Sequence, residues 1–191
     1  MERNERQIRA TMASFKTREA AEGKYIEGYF AVFNKTTQLW PGATESIAPG
    51  AFAESLATDD IRALINHETR LVIGRTKPAT LTLREDEKGL WGSILINPKD
   101  QDAVNAYERV TRGDVDQCSF GFDILEEETE FHEDGSVHWT IKAVKLYEVS
   151  VVTFPAYEDT AVSARKKDFA EIQKRKNEVW REKMRRKLGG K

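Results

Sequence analysis

Three side chains in this sequence are of types that together perform acyl transfer: Ser119, His67 and Glu148. A serine hydroxyl is a poor nucleophile until a base within hydrogen-bond reach takes its proton, and that base works best when a third group orients it. Histidine suits the base role because its unperturbed pKa is about 6.5. Read as a strand, Asp116 to Phe122 puts Cys118, Phe120, Phe122 and Ile124 on one face, with the composition of a core. Ser119, Gly121 and Asp123 share the outer face, where a glycine beside the hydroxyl admits a close approach. His67 ends the apolar run Asp60 to His67, at a strand–loop junction. Glu148 lies within Leu146 to Phe154 (LYEVSVVTF), where a buried carboxylate needs a partner. Residue by residue, plainer readings stand beside these: a hydroxyl on a solvated strand face, a polar residue closing a strand, a glutamate alternating toward solvent. Composition alone favours them.

Other chemistries find less support. The three histidines (His67, His132, His138) and the single cysteine lack metal-ligand spacings, so no metal is expected. There is no Gly-rich phosphate loop or dinucleotide fingerprint, and no cofactor is expected. Cys118 faces the core with Phe120 and Phe122, where a buried thiol is inert, which disfavours a thiol protease. His132 and His138 flank an Asp134-Gly135 turn in a polar setting. One cysteine excludes an internal disulfide and fits a reducing compartment. Met1 to Arg9 are charged, without the apolar run of a signal peptide, and no stretch approaches the roughly 20 apolar residues of a membrane span. The sequence reads as a soluble cytosolic protein with no membrane partner.

The elements that must position the three residues are mostly strands. Ile8 to Lys16 and Lys24 to Phe33 read as strands, and Asn34 to Thr44 as a polar loop. Glu45 to Leu56 reads as a strand, a Pro-Gly turn and a short helix from Ala51. After the His67 run, Leu71 to Gly74 leads into a hairpin of Ala79 to Arg84 with Leu90 to Ile96. Asp100 caps a predicted helix from Gln101 to Arg112, which Gly113 stops. The Ser119 strand continues into a long acidic hairpin, with Val137 to Val144 and Leu146 to Phe154 as separate strands. About eight strands with few helices predict a mostly antiparallel β domain, a barrel or sandwich with added helices.

Charge divides the chain. Residues from Arg165 to Lys191 hold twelve Lys/Arg against four Asp/Glu, a net +8, leaving −10 on residues 1–164. The sequence therefore predicts an acidic domain over 1–164 and a basic tail over 165–191. Phe169, Ile172, Val179, Trp180, Met184 and Leu188 would form one apolar face of a tail helix that orders on a partner. Aromatic residues do not interleave with its basic ones, so no specific nucleic-acid binding is expected.

Several short motifs in order carry a family resemblance. They are Ile26-Glu27-Gly28-Tyr29 with Phe33-Asn34, then Glu45 to Phe52, Asn66-His67-Glu68 with Ile73-Gly74-Arg75, Cys118 to Phe122, and Tyr147 to Val152 with Pro155-Ala156. Over roughly Ile8 to Ala164 the chain resembles the tailed-bacteriophage prohead proteases, whose fold is similar to herpesvirus assemblin. The resemblance implies an antiparallel β-barrel surrounded by a few helices, and a serine endopeptidase. Ser119 would be the nucleophile, His67 the base and Glu148 the third member, the least secure because assemblins use a second histidine there. It implies action inside the immature prohead in the bacterial host cytoplasm, with the major capsid protein or a scaffold protein, and the enzyme itself, as substrates. A homodimer follows by analogy with assemblin. The alternative from another class is a scaffold or assembly protein of the prohead with a weak or absent active site.

Overall fold

The chain is described here by a computed structural model covering residues 7–12, 15–154 and, from 166 to 185, eight helical positions. The strands are β1 (Gln7–Met12), β2 (Lys16–Ala20), β3 (Gly23–Val32), β4 (Thr37–Trp40) and β5 (Ala43–Ile47). After α1 (Ala53–Thr58) come β6 (Arg62–Ile65), β7 (Val72–Arg75), β8 (Leu81–Glu85) and β9 (Gly89–Leu95). Helix α2 (Gln101–Arg112) precedes the two longest strands, β10 (Gln117–Phe131) and β11 (Val137–Val152). The chain divides into two compact units, Met1–Tyr157 and Glu158–Lys191, and both sheets lie in the first. Ala164, the expected domain edge, lies outside the described residues, as do Pro155, Ala156 and the tail positions Ile172, Val179, Trp180 and Leu188.

The mainly β class predicted from the sequence holds, but the antiparallel barrel does not. The described strands form two open sheets, one of seven strands ordered β1-β10-β11-β5-β4, with β6 and β7 attached through β11, and one of four ordered β2-β3-β9-β8. β11 pairs antiparallel with β10 along its length. On its other edge it pairs in parallel, first with β5 from Val137 to Ile141 and then with β6 from Glu148 to Val151. Parallel neighbours need crossovers rather than tight turns, which local turn signals do not reveal. The two strands expected within residues 137–154 are one strand whose partner changes midway. Part of the expected polar loop after Asn34 is β4, where Leu39 is buried and Trp40 packs on Trp139 at 5.7 Å.

Alternation along β10 sets its two faces. Cys118, Phe120 and Phe122 enter a core shared with Phe30, Phe52, Val149 and Val151. Phe120 meets Phe52 edge-on at 5.5 Å and Phe122 at 4.9 Å. Truncating such a ring to alanine typically costs about 3–5 kcal/mol, so this face fixes which residues of β10 point the other way. Helix α2 forms as predicted. Asp100 accepts from the N–H groups of Asp102 and Ala103, and Gly113 ends it at φ 81°.

Candidate active site

β6 and β11 run in parallel with Leu64 beside Ser150 and Ile65 beside Val151. The chain does not continue straight. Asn66 donates its N–H to the Val151 carbonyl at 3.0 Å, and then Asn66 and His67 both take left-handed conformations, φ 50° and 60°. Glu68 N–H closes the turn on the Ile65 carbonyl at 3.0 Å. Left-handed backbone costs a non-glycine residue about 1–2 kcal/mol, and two in succession need support. It comes from β11 and the residue after it. Asn66 Oδ1 accepts from Thr153 N–H at 2.9 Å, and His67 N–H donates to Ser150 Oγ at 3.3 Å. The turn carries the imidazole back over β11, where Nδ1 lies 2.7 Å from Glu148 Oε1.

Glu148 is 1% exposed, and both Ser119 and Ser150 are fully buried. The second carboxylate oxygen, Oε2, accepts the Ser150 hydroxyl at 2.6 Å. Ser119 stands directly opposite Ser150, and Gly121 opposite Glu148, in the antiparallel β10–β11 pair. Directly paired residues share a sheet face, so Ser119, Glu148 and Ser150 lie together on the face away from the aromatic core. The structure thus brings two of the three sequence-predicted residues into contact and sets the third one strand away. It does not join Ser119 to His67. The Ser119 hydroxyl donates to the carbonyl of Arg9 in β1 at 2.9 Å, while His67 Nε2 is buried without a hydrogen-bond partner among the described residues. Arg9 itself is fixed by Glu45, Nε to Oε1 at 2.5 Å and Nη2 to Oε2 at 2.9 Å. Ser119 occupies the outer strand face as expected, yet it is enclosed there rather than open.

Other candidates fall elsewhere. Cys118 is buried on the core side, its Sγ 3.2 Å from the Tyr29 carbonyl. His138 lies on the β5 half of β11, with Nδ1 2.7 Å from Thr44 Oγ1 and Nε2 2.9 Å from Ser46 Oγ. From Glu148 it is ten residues along the strand, about 30 Å at strand rise. His132 helps form the β10–β11 turn through its backbone. Among the described residues no group of three His, Cys, Asp or Glu is placed to hold a metal ion. Ser150 was missed as a site residue, although its i+2 spacing from Glu148 places it on the same strand face. Just before β6, Asp60 accepts from Arg75 Nε at 2.8 Å and also pairs with Nη2. The Arg75 hydrogen bond chiefly, against the cost of burial, holds the Asp60 carboxyl at about 2. This clamp ties the start of the His67 strand to β7.

With this geometry in place, comparison with known proteins is decisive. A profile described as caudovirus prohead serine protease matches residues 12–175. The chain belongs to this family. The prohead protease of Enterobacteria phage HK97 is 33% identical over 144 residues, a match covering 74% of this chain and 60% of that protein. The chain thus spans about 60% of that relative's length. Among solved structures, the bacteriophage T4 capsid assembly protease aligns with a TM-score of 0.50 at 10% identity, over 78% of this chain and 99% of that one. At that identity the likeness concerns the fold.

Proposed function

We propose that this member of the prohead serine protease family is a capsid-maturation endopeptidase with Ser119 as nucleophile, His67 as general base and Glu148 as the group that orients it. The observation that carries this reading is the 2.7 Å contact of His67 Nδ1 with a buried carboxylate, which leaves Nε2 as the nitrogen with nothing to bind. In this reading Glu148 acts as a carboxylate that can only accept, so Nδ1 of the neutral imidazole carries the proton and Nε2 presents its lone pair. For attack, the Ser119 hydroxyl leaves the Arg9 carbonyl and donates to Nε2. Its oxygen then adds to a peptide carbonyl carbon, and Nε2 holds the proton until the tetrahedral intermediate expels the amine, which takes it. Water, deprotonated by the same nitrogen, releases the acyl-enzyme. No cofactor enters this scheme.

The relatives' names point to the substrate class. A prohead protease and a capsid assembly protease support major capsid or scaffold protein, and this chain itself, as substrates within the immature prohead. In the same reading residues 1–164 form the protease domain, the basic tail 165–191 delivers it to the shell, and the enzyme acts as a homodimer. The test is co-expression with the capsid protein of the same phage, followed by mass spectrometry of the products. Ser119→Ala should abolish processing, since loss of a serine nucleophile costs on the order of 10⁶-fold in kcat, whereas Cys118→Ser should still cut. Cutting by Ser119→Ala but not by Cys118→Ser would overturn the assignment. A second reading, an assembly protein with a weak or absent site, draws on the enclosed Ser119 hydroxyl bonded to Arg9. The same experiment decides it, because such a protein yields no products in either variant.

A further inference from the structure

We propose that Ser150 is a positioning residue that sets the tautomer and orientation of His67; this rests on the reading of His67 and Glu148 given above. Ser150 is fully buried, and its oxygen meets three parts of the site at once. It donates to Glu148 Oε2 at 2.6 Å, accepts from the His67 backbone N–H at 3.3 Å, and lies 3.3 Å from His67 Nδ1.

With Glu148 as a carboxylate and His67 as a neutral imidazole, the proton inventory of the cluster has one solution. A hydroxyl owns a single hydrogen, and the 2.6 Å contact with a carboxylate is where it goes. Ser150 therefore has none left for Nδ1, and a carboxylate has none to give. Nδ1 sits between two acceptors, 2.7 Å from Glu148 Oε1 and 3.3 Å from Ser150 Oγ, and must itself be the protonated nitrogen. Nε2 is then the free acceptor. Without the Ser150 hydroxyl, Glu148 Oε2 loses a donor at 2.6 Å that helps fix the plane of the carboxylate. The same change leaves the His67 N–H without its partner inside a two-residue left-handed turn. Ser150 thus couples the strained backbone that aims the imidazole to the carboxylate that selects its tautomer. Its hydroxyl is not itself an activated nucleophile. It is spent on Glu148 and lies beside Nδ1, the nitrogen that carries the proton.

The experiment compares full-length wild type, Ser150→Ala, Ser150→Val and Ser150→Thr by two readouts. The first is kcat and KM on a peptide spanning a cleavage site found by the mass spectrometry described above. The second, independent of turnover, is the ¹⁵N spectrum of the imidazole of His67, which distinguishes a protonated from an unprotonated ring nitrogen. Ser150→Val should lower kcat by roughly 10²-fold, the scale of a small misplacement of a reacting group, with KM nearly unchanged. Its spectrum should show mixed tautomers where wild type shows Nδ1–H alone. Ser150→Thr keeps the hydroxyl in the volume of valine and should restore both readouts. Ser150→Ala, smaller than either, keeps the comparison open if valine disturbs folding. An unchanged tautomer and kcat within twofold in Ser150→Ala would overturn the proposal. So would a well-folded Ser150→Thr as impaired as Ser150→Val, because packing alone would then explain both. If wild type cleaves nothing, the proposed function fails while the spectra still decide the role of Ser150.

Discussion

Replacing Glu148 by glutamine tests the orientation of the base most directly. Glu148 lies 2.7 Å from His67 Nδ1 and accepts the Ser150 hydroxyl at 2.6 Å. Glutamine has nearly the same shape but offers one oxygen and one NH₂ group. With the oxygen toward Ser150, the amide nitrogen faces His67, so Nδ1 must accept and the ring proton moves to Nε2. The lone pair needed for the Ser119 proton is then gone. With the amide reversed, the tautomer survives but the charge that stabilises imidazolium during attack is lost. Neutralising a triad carboxylate elsewhere lowers kcat by about 10⁴-fold, or about 5 kcal/mol of transition-state stabilisation. Stability should change little, since removing a charge from a site 1% exposed also removes its desolvation cost. The assay is kcat on the mapped peptide, with thermal melting to certify folding. A folded Glu148→Gln within tenfold of wild type would refute the orienting role.

Three further outcomes are expected. Asp60 has a folded pKa of about 2 against 3.8 for the free group, so its contribution to stability is complete above pH 4 and disappears as pH falls toward 2. The melting temperature of wild type should thus drop more steeply over that window than that of Asp60→Asn, and parallel curves would contradict the clamp. Asn66→Ala should lower both melting temperature and kcat more than Asn66→Gly does, because alanine meets a left-handed backbone cost of about 1 kcal/mol that glycine does not; the reverse order would remove the strained turn from the argument. His138→Ala should retain kcat within about threefold, as substitutions remote from the reacting groups usually do, and a large loss would favour a two-histidine site.

Parts of the fold around the candidate site were legible in the sequence where local pattern carries the information. Alternation across Cys118, Ser119 and Phe120 told the core face from the other, and Cys118 does lie inward. The Asp100 cap and the Gly113 stop marked α2 because capping needs only neighbouring residues. Short apolar runs likewise marked the strand that leads into His67 and the one that carries Glu148. What stayed hidden is non-local. No single run of residues shows that β6 lies in parallel beside β11, and that pairing alone brings Leu64 next to Ser150. The barrel expectation failed for the same reason, since strand count does not dictate closure. Sequence shows Ser150 only as one more small strand residue, whereas the fold turns its hydroxyl onto Glu148 Oε2. Nor could spacing reveal the hydrogen bond from Ser119 to Arg9, which joins residues 110 apart.

The place of β11 as the common partner of β10, β5 and β6 also bears on when the site comes into being. A chain emerging from the ribosome presents His67 and Ser119 long before Glu148, and neither can be set correctly until residues 148–151 are available to pair. The β10–β11 hairpin closes locally and quickly, whereas docking Arg62 beside Glu148 closes a loop of more than 80 residues, a slower event. The nascent polypeptide therefore carries a serine and a histidine but no aligned acid–base pair. If the chain is the protease proposed above, strand order by itself holds back the alignment of its site until the domain is nearly complete.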